Sequence, residues 1–373
     1  MAHLLDRSRT ELTRLSRRWR EFVATTPADA LLAVAVIALG LLAGLAGFLL
    51  VSPLTAVPLV AAGVATGYGW WRYEALTAKT LALTATVLTV LVLLLIAVFI
   101  IAEAIPVINY ATVEAFGIPI PGLRLLTETV WSPVSQPNRF SMVPLIHGTV
   151  LVTLIATAVA APLGIAAALF VSEIAPPTVR EFVKPGIEIL AGIPSIVYGF
   201  IGFTVLSPWA SDQFRIVGQG TYLFVGIVVG LMALPTVVSV AEDAIDAVPE
   251  SMKQGSLAMG TTDWQTMTSI TLPAAFSGVS AAVLLGVGRA IGETMAATVM
   301  LRGVPRLTEP LFNVFYGQET LTSLIAARYG DADGLQMSAL FVAGAILFVT
   351  VLALSITSQY IEARMKRQLG GEE

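Results

Sequence analysis

The sequence contains no cysteine and only two histidines, His3 and His147. The absence of cysteine excludes disulfides and thiolate chemistry, and two histidines are too few for a histidine-rich metal site. Charged residues make up 12% of the chain, about half the share of an average soluble domain. Because 56% of the residues are hydrophobic and the mean hydropathy is +0.83, we predict an all-α polytopic membrane protein.

A helix needs about 20 apolar residues to cross the hydrocarbon layer, and eight stretches of the sequence meet this need, the second of them only narrowly. We therefore predict about eight transmembrane helices. They span residues 30–51, 54–71, 80–102, 143–171, 187–209, 220–240, 273–301 and 338–360.

The distribution of Lys and Arg predicts the orientation, because basic residues concentrate in cytoplasmic segments. With eight crossings, 14 of the 21 basic residues lie on one side and six on the other, and Arg289 falls inside a span. Both termini are then predicted to be cytoplasmic in a plasma membrane. The 14 are Arg7, Arg9, Arg14, Arg17, Arg18, Arg20, Arg72, Lys79, Arg180, Lys184, Lys253, Arg364, Lys366 and Arg367.

Three regions follow from this pattern. Residues 1–29 form an Arg-rich cytoplasmic segment, residues 30–79 an appended transmembrane hairpin, and residues 80–373 a six-span core. Two long loops on the outer side, residues 103–142 and 302–337, are candidate docking surfaces for an external partner.

A polar segment, residues 242–272, joins the sixth and seventh spans and is long for a simple connection. Pro249 and Glu250 suit the start of a helix and Gly260 suits its end. A second short helix is predicted over 263–270, ending before Pro273. The alternative is an ordinary amphipathic surface loop.

The spacing in this segment resembles the cytoplasmic loop of binding-protein-dependent importer permeases, which reads Glu-Ala-Ala, three residues, Gly, nine residues, Ile, one residue, Leu-Pro. We call residues 242–272 the coupling loop. The matched positions are Gln254, Gly255 and Ser256, which replace Glu-Ala-Ala, followed in register by Gly260, Ile270, Leu272 and Pro273. The resemblance implies a type I importer core whose loop contacts a separate ATPase. Because the chain has no Gly-Lys pair and hence no P-loop, ATP is expected to be used by that partner.

The seventh span carries an arginine and a glutamate four residues apart, Arg289 and Glu293. A charge at the bilayer centre costs at least about 2.5 kcal/mol, so each needs a partner or a watery cavity. Spacing predicts that the two share one helical face, and Gly288 and Gly292 predict close approach of another helix. The pair either locks helices together or contacts a passing oxyanion, for which the forked guanidinium is suited.

The run from Gly288 to Met295 resembles the phosphate importer permeases, and Met295-Ala296 resembles the PstC-type subunit more than its PstA partner. The resemblance covers residues from about 85 onward and includes Thr294. It implies phosphate transport together with a PstA-like permease, a PstB-like ATPase dimer and a PstS-like extracytoplasmic binding protein. No cofactor in this chain and no nucleic acid partner are implied.

The fifth span is interrupted at Gly192 and Pro194, and broken helices often line transport sites. Ser195 and Tyr198, in a stretch that also matches the phosphate permeases, are candidate donors to an oxyanion. No metal site is predicted. The alternatives are a permease for sulfate or molybdate, a passive anion channel and, since acidic residues occur near spans, an intramembrane enzyme.

Overall fold

The computed structural model describes residues 24–115, 117–214 and 220–369. The predicted all-α class is confirmed, since every regular element of the described residues is helical except for two small two-stranded sheets. The helices are α1 Ala28–Leu49, α2 Ala56–Arg72, α3 Glu74–Tyr110, α4 Leu123–Thr127, α5 Val143–Leu169, α6 Pro177–Gly192, α7 Ser195–Ile201, α8 Ser207–Phe214, α9 Tyr222–Asp246, α10 Glu250–Ala258, α11 Asp263–Thr266, α12 Leu272–Ile291, α13 Met295–Met300, α14 Leu321–Arg328 and α15 Gly334–Leu369.

Six long helices of the described chain are long and apolar enough to cross a membrane, and a bent pair of helices makes up to seven. The second predicted span, residues 54–71, forms α2, which has 17 residues and follows a 3-10 turn at Pro53–Thr55. The six helices are Ala28–Leu49, Glu74–Tyr110, Val143–Ile174, Tyr222–Asp246, Asp263–Ile291 and Gly334–Ile361. Most of the predicted basic N-terminal segment, residues 1–23, lies outside the described residues.

The chain divides into two compact units, residues 1–98 and 99–373. In the first unit, α1 and α2 form an antiparallel hairpin that is closed at one end by Asp29. Its Oδ2 atom accepts hydrogen bonds from the hydroxyls of Tyr68 at 2.9 Å and Tyr73 at 2.8 Å. These bonds satisfy a carboxylate at the start of α1, where the helix dipole also favours a negative charge.

In the second unit, α9 is the central helix and packs against α5 and α12. Its apolar residues are buried on several sides, which explains why hydrophobic residues occupy nearly all of its surface. Pro235 lies within α9, where it has no N–H to donate to the Leu231 carbonyl and its ring crowds the same carbonyl. This disturbance lies beside the candidate site.

The predicted fifth span is broken, and the two parts are bent by 87°. The break at Gly192 and Pro194 is confirmed, so residues 187–209 are not one continuous helix. The backbone of Ile193 is extended, with ψ at 127°, because the ring of the following proline disfavours helical geometry at the preceding residue.

The seventh predicted span, residues 273–301, differs from the structure at both ends. The second short helix of the coupling loop does not stop before Pro273, because α11 continues through a π-helical turn at Met267–Thr271 into α12. The proline occupies the first turn of α12, where its missing N–H is tolerated. At the other end α12 stops at Ile291, so residues 273–301 are not one span.

The two loops predicted for the outer side are shorter than expected, because α3 continues to Tyr110 and α15 begins at Gly334. Their described residues 111–115, 117–142 and 302–333 are called the cap. Strand β1 (Val113–Ala115) pairs with β2 (Ile118–Ile120), and β3 (Trp131–Ser132) pairs with β4 (Arg139–Phe140). The two loops are joined by backbone bonds from Trp131 N to the Pro305 carbonyl and from Leu307 N to the Thr129 carbonyl, each 2.8 Å.

Candidate functional site

The helix carrying Arg289 ends before Glu293. Gly292 closes α12 and Thr294 precedes α13, so the prediction that Arg289 and Glu293 lie one turn apart on one continuous helix is wrong. The Glu293 Oε1 atom instead accepts a hydrogen bond from Ala296 N at 3.1 Å. The Thr294 hydroxyl donates to the Gly292 carbonyl at 3.1 Å. The side chains of Glu293 and Thr294 therefore bond to backbone atoms on either side of the break between α12 and α13.

The Arg289 side chain bonds to a helix backbone and not to a carboxylate. Its Nε atom donates to the Met232 carbonyl of α9 at 3.1 Å, next to Leu231, whose carbonyl lacks its usual intrahelical donor because of Pro235. No ion pair joins Arg289 to any described acidic residue, and its two terminal nitrogens donate to no described residue. The guanidinium therefore keeps most of its donors available.

Among the described residues, no other helix closely approaches Gly288 or Gly292. A Cβ atom at Gly288 would meet nothing within 4 Å, and at Gly292 it would meet only the preceding turn of its own helix. Gly286 has the role instead, because a Cβ there would lie 2.6 Å from the Val237 Cγ2 atom of α9. Gly288 thus leaves open space beside Arg289.

The helix α7 brings Tyr198 to this region. A Cβ atom at Gly199 would lie 2.7 Å from the Ala296 Cα atom of α13, so only glycine permits this contact between the two short helices. The Tyr198 hydroxyl donates to the Leu190 carbonyl across the bend at 3.0 Å, and Tyr198 is within electrostatic reach of Arg289. Ser195 begins α7, and its hydroxyl bonds to no described residue.

The cap reaches the break through a threonine that the sequence did not single out. The Thr322 hydroxyl at the start of α14 donates to the Glu293 carbonyl at 2.7 Å. Thr149, in the Gly148-Thr149 pair of α5, accepts from Leu321 N at 3.0 Å. These bonds fix the start of α14 to both α5 and the segment that carries Glu293.

Beside this contact the cap buries an acidic side chain. The Glu319 Oε1 atom lies 3.4 Å from Arg328 Nη2, while its Oε2 atom is buried without a hydrogen-bond partner among the described residues. Burial raises the pKa of Glu319, and the nearby Arg328 opposes this rise. A carboxylate with one unsatisfied oxygen is costly to keep ionised.

The coupling loop projects its helix α10 with most side chains exposed. Gln254 and Gly255 lie on exposed positions, and Gly260 has a φ of +85°, which is the left-handed region that favours glycine. The predicted start at Glu250 and glycine turn at Gly260 are therefore confirmed. Leu272 and Pro273 begin α12, and Ile270 lies in the π-helical turn before them.

Three hydroxyl groups hold the two arms of the coupling loop together. The Ser256 and Thr261 hydroxyl oxygens are 2.8 Å apart, and the Thr266 hydroxyl oxygen lies 3.0 Å from that of Thr261 and 3.1 Å from that of Ser256. Thr262 caps α11 and forms a capping box with Gln265. These hydrogen bonds fix the geometry of the turn between α10 and α11, and the Ser256 hydroxyl takes part in two of them.

Ion pairs tie the coupling loop to other helix ends. Lys253 Nζ lies 2.6 Å from Glu173 Oε1 in the π-helical turn that ends α5, and Lys184 Nζ lies 2.6 Å from Glu242 Oε1, joining α6 to α9. The Ser172 hydroxyl donates to Asp246 Oδ1. No sequence pattern predicts these pairs, since their members are far apart in the chain.

The structure therefore divides the predicted site residues into two groups. Arg289, Glu293, Thr294, Ser195 and Tyr198 lie around two helix breaks joined by the contact of Gly199 with Ala296, while Gln254 to Pro273 form the coupling loop. Among the described residues no group of three or more His, Asp or Glu side chains is placed to hold a metal ion.

The family comparison covers both groups. A model described as "Binding-protein-dependent transport system inner membrane component" matches residues 160–367, more than half of the chain. This chain belongs to that family. As an inner-membrane component it is a multi-pass transport subunit of the plasma membrane. The predicted resemblance of its motifs to binding-protein-dependent importer permeases is confirmed.

Curated relatives of this inner-membrane component extend over most of their own length. The probable ABC transporter permease protein YqgH of Bacillus subtilis is 38% identical over 247 residues, 65% of this chain and 79% of that protein. The phosphate transport system permease protein PstC of Xylella fastidiosa is 32% identical over 274 residues, covering 68% and 83%. PstC of Haemophilus influenzae is 32% identical over 306 residues, covering 77% and 93%.

Proposed function

We propose that this chain is a permease subunit of an ATP-driven phosphate importer and forms the translocation pathway with a second, PstA-like permease. The observation that carries the proposal is the position of Arg289, whose terminal nitrogens bond to no described residue beside open space at Gly288. The names of the PstC relatives support phosphate as the anion.

Arg289 would bind phosphate transiently through its free nitrogens, since a guanidinium remains charged and its forked donors match two oxygens of the anion. Its Nε bond to Met232 holds the side chain in place without consuming those donors. Glu293 has one oxygen bonded to Ala296 N, and its other oxygen would accept a hydrogen bond from a protonated phosphate oxygen. Sulfate offers no such proton at neutral pH.

A PstB-like ATPase dimer would supply the energy, because the chain has no P-loop and is not itself an enzyme in this proposal. The exposed side chains of Met252, Met259 and Trp264 on the coupling loop would contact the ATPase. ATP is bound and hydrolysed there, and this chain holds no cofactor.

The cap would receive a PstS-like phosphate-binding protein on the outer side. This orientation places both termini in the cytoplasm, in agreement with the distribution of basic residues. The remaining apolar helix faces contact membrane lipids, and no nucleic acid takes part.

Uptake of labelled phosphate by cells that express variants tests the proposal. Arg289→Gln loses the charge, and we expect uptake at limiting phosphate to fall about 10- to 100-fold, the equivalent of about 1.5–3 kcal/mol of lost charge-assisted hydrogen bonding. Arg289→Lys should retain more activity. Arg72→Gln, an exposed arginine outside the family match, serves as the control, and membrane abundance is measured for each.

Other readings predict different outcomes. Near-normal phosphate uptake in both Arg289→Gln and Glu293→Gln would remove these residues from the pathway. Stronger competition by sulfate or molybdate than by unlabelled phosphate would assign another oxyanion. Uptake that persists in vesicles without ATP would favour a passive channel.

A further inference from the structure

A groove opens beside Arg289 between α9, α12 and α15. Its volume is about 670 Å³, and apolar side chains line most of it. Its polar lining consists of Arg289, Thr236, Ser355, Ser358 and Gln359. Arg289 is the one charged residue among the described residues that line it, so the groove presents a positive charge and several neutral hydrogen-bonding groups.

The neutral groups in the groove have no hydrogen-bond partner in the described part of the chain. On the same helix α15, Thr350 and Thr357 donate to the carbonyls of Ile346 and Ala353, each at 2.7 Å. This bond to the preceding turn is the usual solution for a hydroxyl inside a membrane. Ser355 and Ser358, by contrast, bond to no described residue, and neither do Thr236 and Gln359.

Hydrocarbon does not fill such a groove at low cost. A guanidinium with free donors facing lipid costs at least about 2.5 kcal/mol, and charged residues within spans face a bundle interior or water. At about 30 Å³ per molecule, the groove has room for on the order of twenty waters. Water or a hydrated ion in the groove would satisfy Arg289 and the free hydroxyls together.

We infer that this groove is the segment of the anion pathway that adjoins Arg289, and that Thr236, Ser355, Ser358 and Gln359 are its neutral relay groups. The inference rests on the proposed function and specifies where the phosphate moves. Hydroxyl and amide groups donate to phosphate oxygens and accept from its protonated oxygen. Because they carry no charge, they bind the anion weakly enough to release it, as conduction requires.

The relay groups on α15 lie on one helical face. Ser355 and Gln359 are one turn apart, about 6 Å along the axis, and Ser358 lies on the same side between them. An anion that leaves Arg289 thus meets successive donors at distances comparable to its own size. Ala353 is two residues before Ser355 and about 160° around the helix, and it does not line the groove.

The natural absence of cysteine allows a direct test. Ser355→Cys, Ser358→Cys and the size-matched control Ala353→Cys are expressed with the native partners in membrane vesicles and treated with a negatively charged, membrane-impermeant thiosulfonate reagent. We expect modification at 355 and 358 but not at 353. Inorganic phosphate at about ten times its half-saturating concentration should slow that modification about tenfold by occupancy. Arg289→Gln should remove this protection, and Arg289→Lys should preserve part of it.

Each outcome decides the inference. No modification at 355 and 358 in either membrane orientation means that lipid or another subunit fills the groove and overturns it, as does modification that no anion slows. Protection by sulfate or molybdate in place of phosphate supports the groove as the pathway but contradicts phosphate as the substrate. Protection by phosphate together with slower uptake in Ser355→Ala/Ser358→Ala supports both.

Discussion

Lys253 Nζ lies 2.6 Å from Glu173 Oε1, although the two residues are 80 positions apart in the sequence. Both side chains are largely buried, with 13% and 14% of their surface exposed. The contact joins the exposed helix α10 of the coupling loop to the end of α5. A force applied to α10 therefore reaches α5 through this ion pair, and it reaches α12 through the turn at Gly260 and the helical run that begins with α11.

Breaking this ion pair should separate ATP hydrolysis from transport. For Lys253→Met we expect a loss of about 1.5–3 kcal/mol in the free energy that fixes α10 to α5, since a hydrogen bond between charged groups is removed. The measurement is the ratio of phosphate transported to ATP hydrolysed in reconstituted complexes, which should fall. The charge-swapped double variant, Lys253→Glu with Glu173→Lys, should restore part of the ratio. An unchanged ratio in Lys253→Met would contradict a role of this ion pair in coupling ATP hydrolysis to transport.

The contact between the two short helices should not tolerate a methyl group. Gly199→Ala would place Cβ 2.7 Å from the Ala296 Cα atom, and overpacking of this kind costs about 1–3 kcal/mol. We expect a lower melting temperature and slower uptake. Gly186→Ala in α6, where a Cβ meets nothing within 4 Å, is the matched control; equal behaviour of the two variants would refute the close contact.

The two glycines of the coupling loop should respond in opposite ways. Gly260 has a φ of +85°, so Gly260→Ala should destabilise the turn by about 1–2 kcal/mol. Gly255 is helical with open space around it, so Gly255→Ala should stabilise α10 by about 0.5–1 kcal/mol. Thermal unfolding of the purified chain in detergent provides the comparison, and the same sign for both would be inconsistent with the turn geometry.

Glu319 should make the stability of the cap depend on pH. Burial raises its pKa above the ordinary value of 4.5, so the folded state favours the protonated acid. The stability that the protonated Glu319 side chain contributes is fully present below pH 4.5. It is lost as the pH rises through the raised pKa of the folded state. The melting temperature should therefore fall with rising pH in this window for the native chain and remain flatter for Glu319→Gln. The exposed Glu309→Gln should follow the native profile.

The bond from Thr322 to the Glu293 carbonyl should position the helix break. Thr322→Val keeps the shape of the side chain but removes the donor, at a cost of about 0.5–1.5 kcal/mol. We expect slower phosphate uptake with normal membrane abundance, since the break becomes less well fixed. Thr357→Val on an exposed face of α15 should leave uptake unchanged, and similar losses in both variants would indicate a general effect on folding.

Hydropathy and proline predicted much of this fold. The apolar runs located the long helices, and Pro194 with Gly192 marked the bend between α6 and α7, since proline lacks a donor and disfavours helix at the preceding residue. Proline also misled at residue 273. A first-turn proline is compatible with helix, and the π-helical turn before it lets α11 continue into α12.

The candidate site was only partly visible in the sequence. The spacing of Arg289 and Glu293 is correct for one helical face, but spacing does not reveal that the helix ends at Ile291. The partner of Arg289 is the backbone carbonyl of Met232. Because every residue has a backbone carbonyl, residue types in the sequence do not indicate this partner. The pairing of Lys253 with Glu173 depends on packing between segments far apart in the chain, for which a single sequence offers no local pattern.

The uninterrupted helical run from Asp263 to Ile291 contains 29 residues. It is about 44 Å long at 1.5 Å per residue, whereas the hydrocarbon layer is about 30 Å thick. In the proposed function this run would act as a lever, with the coupling loop at one end and Arg289 near the other. A tilt of about 10° about one end would carry the other end sideways by about 8 Å, more than the width of a guanidinium group.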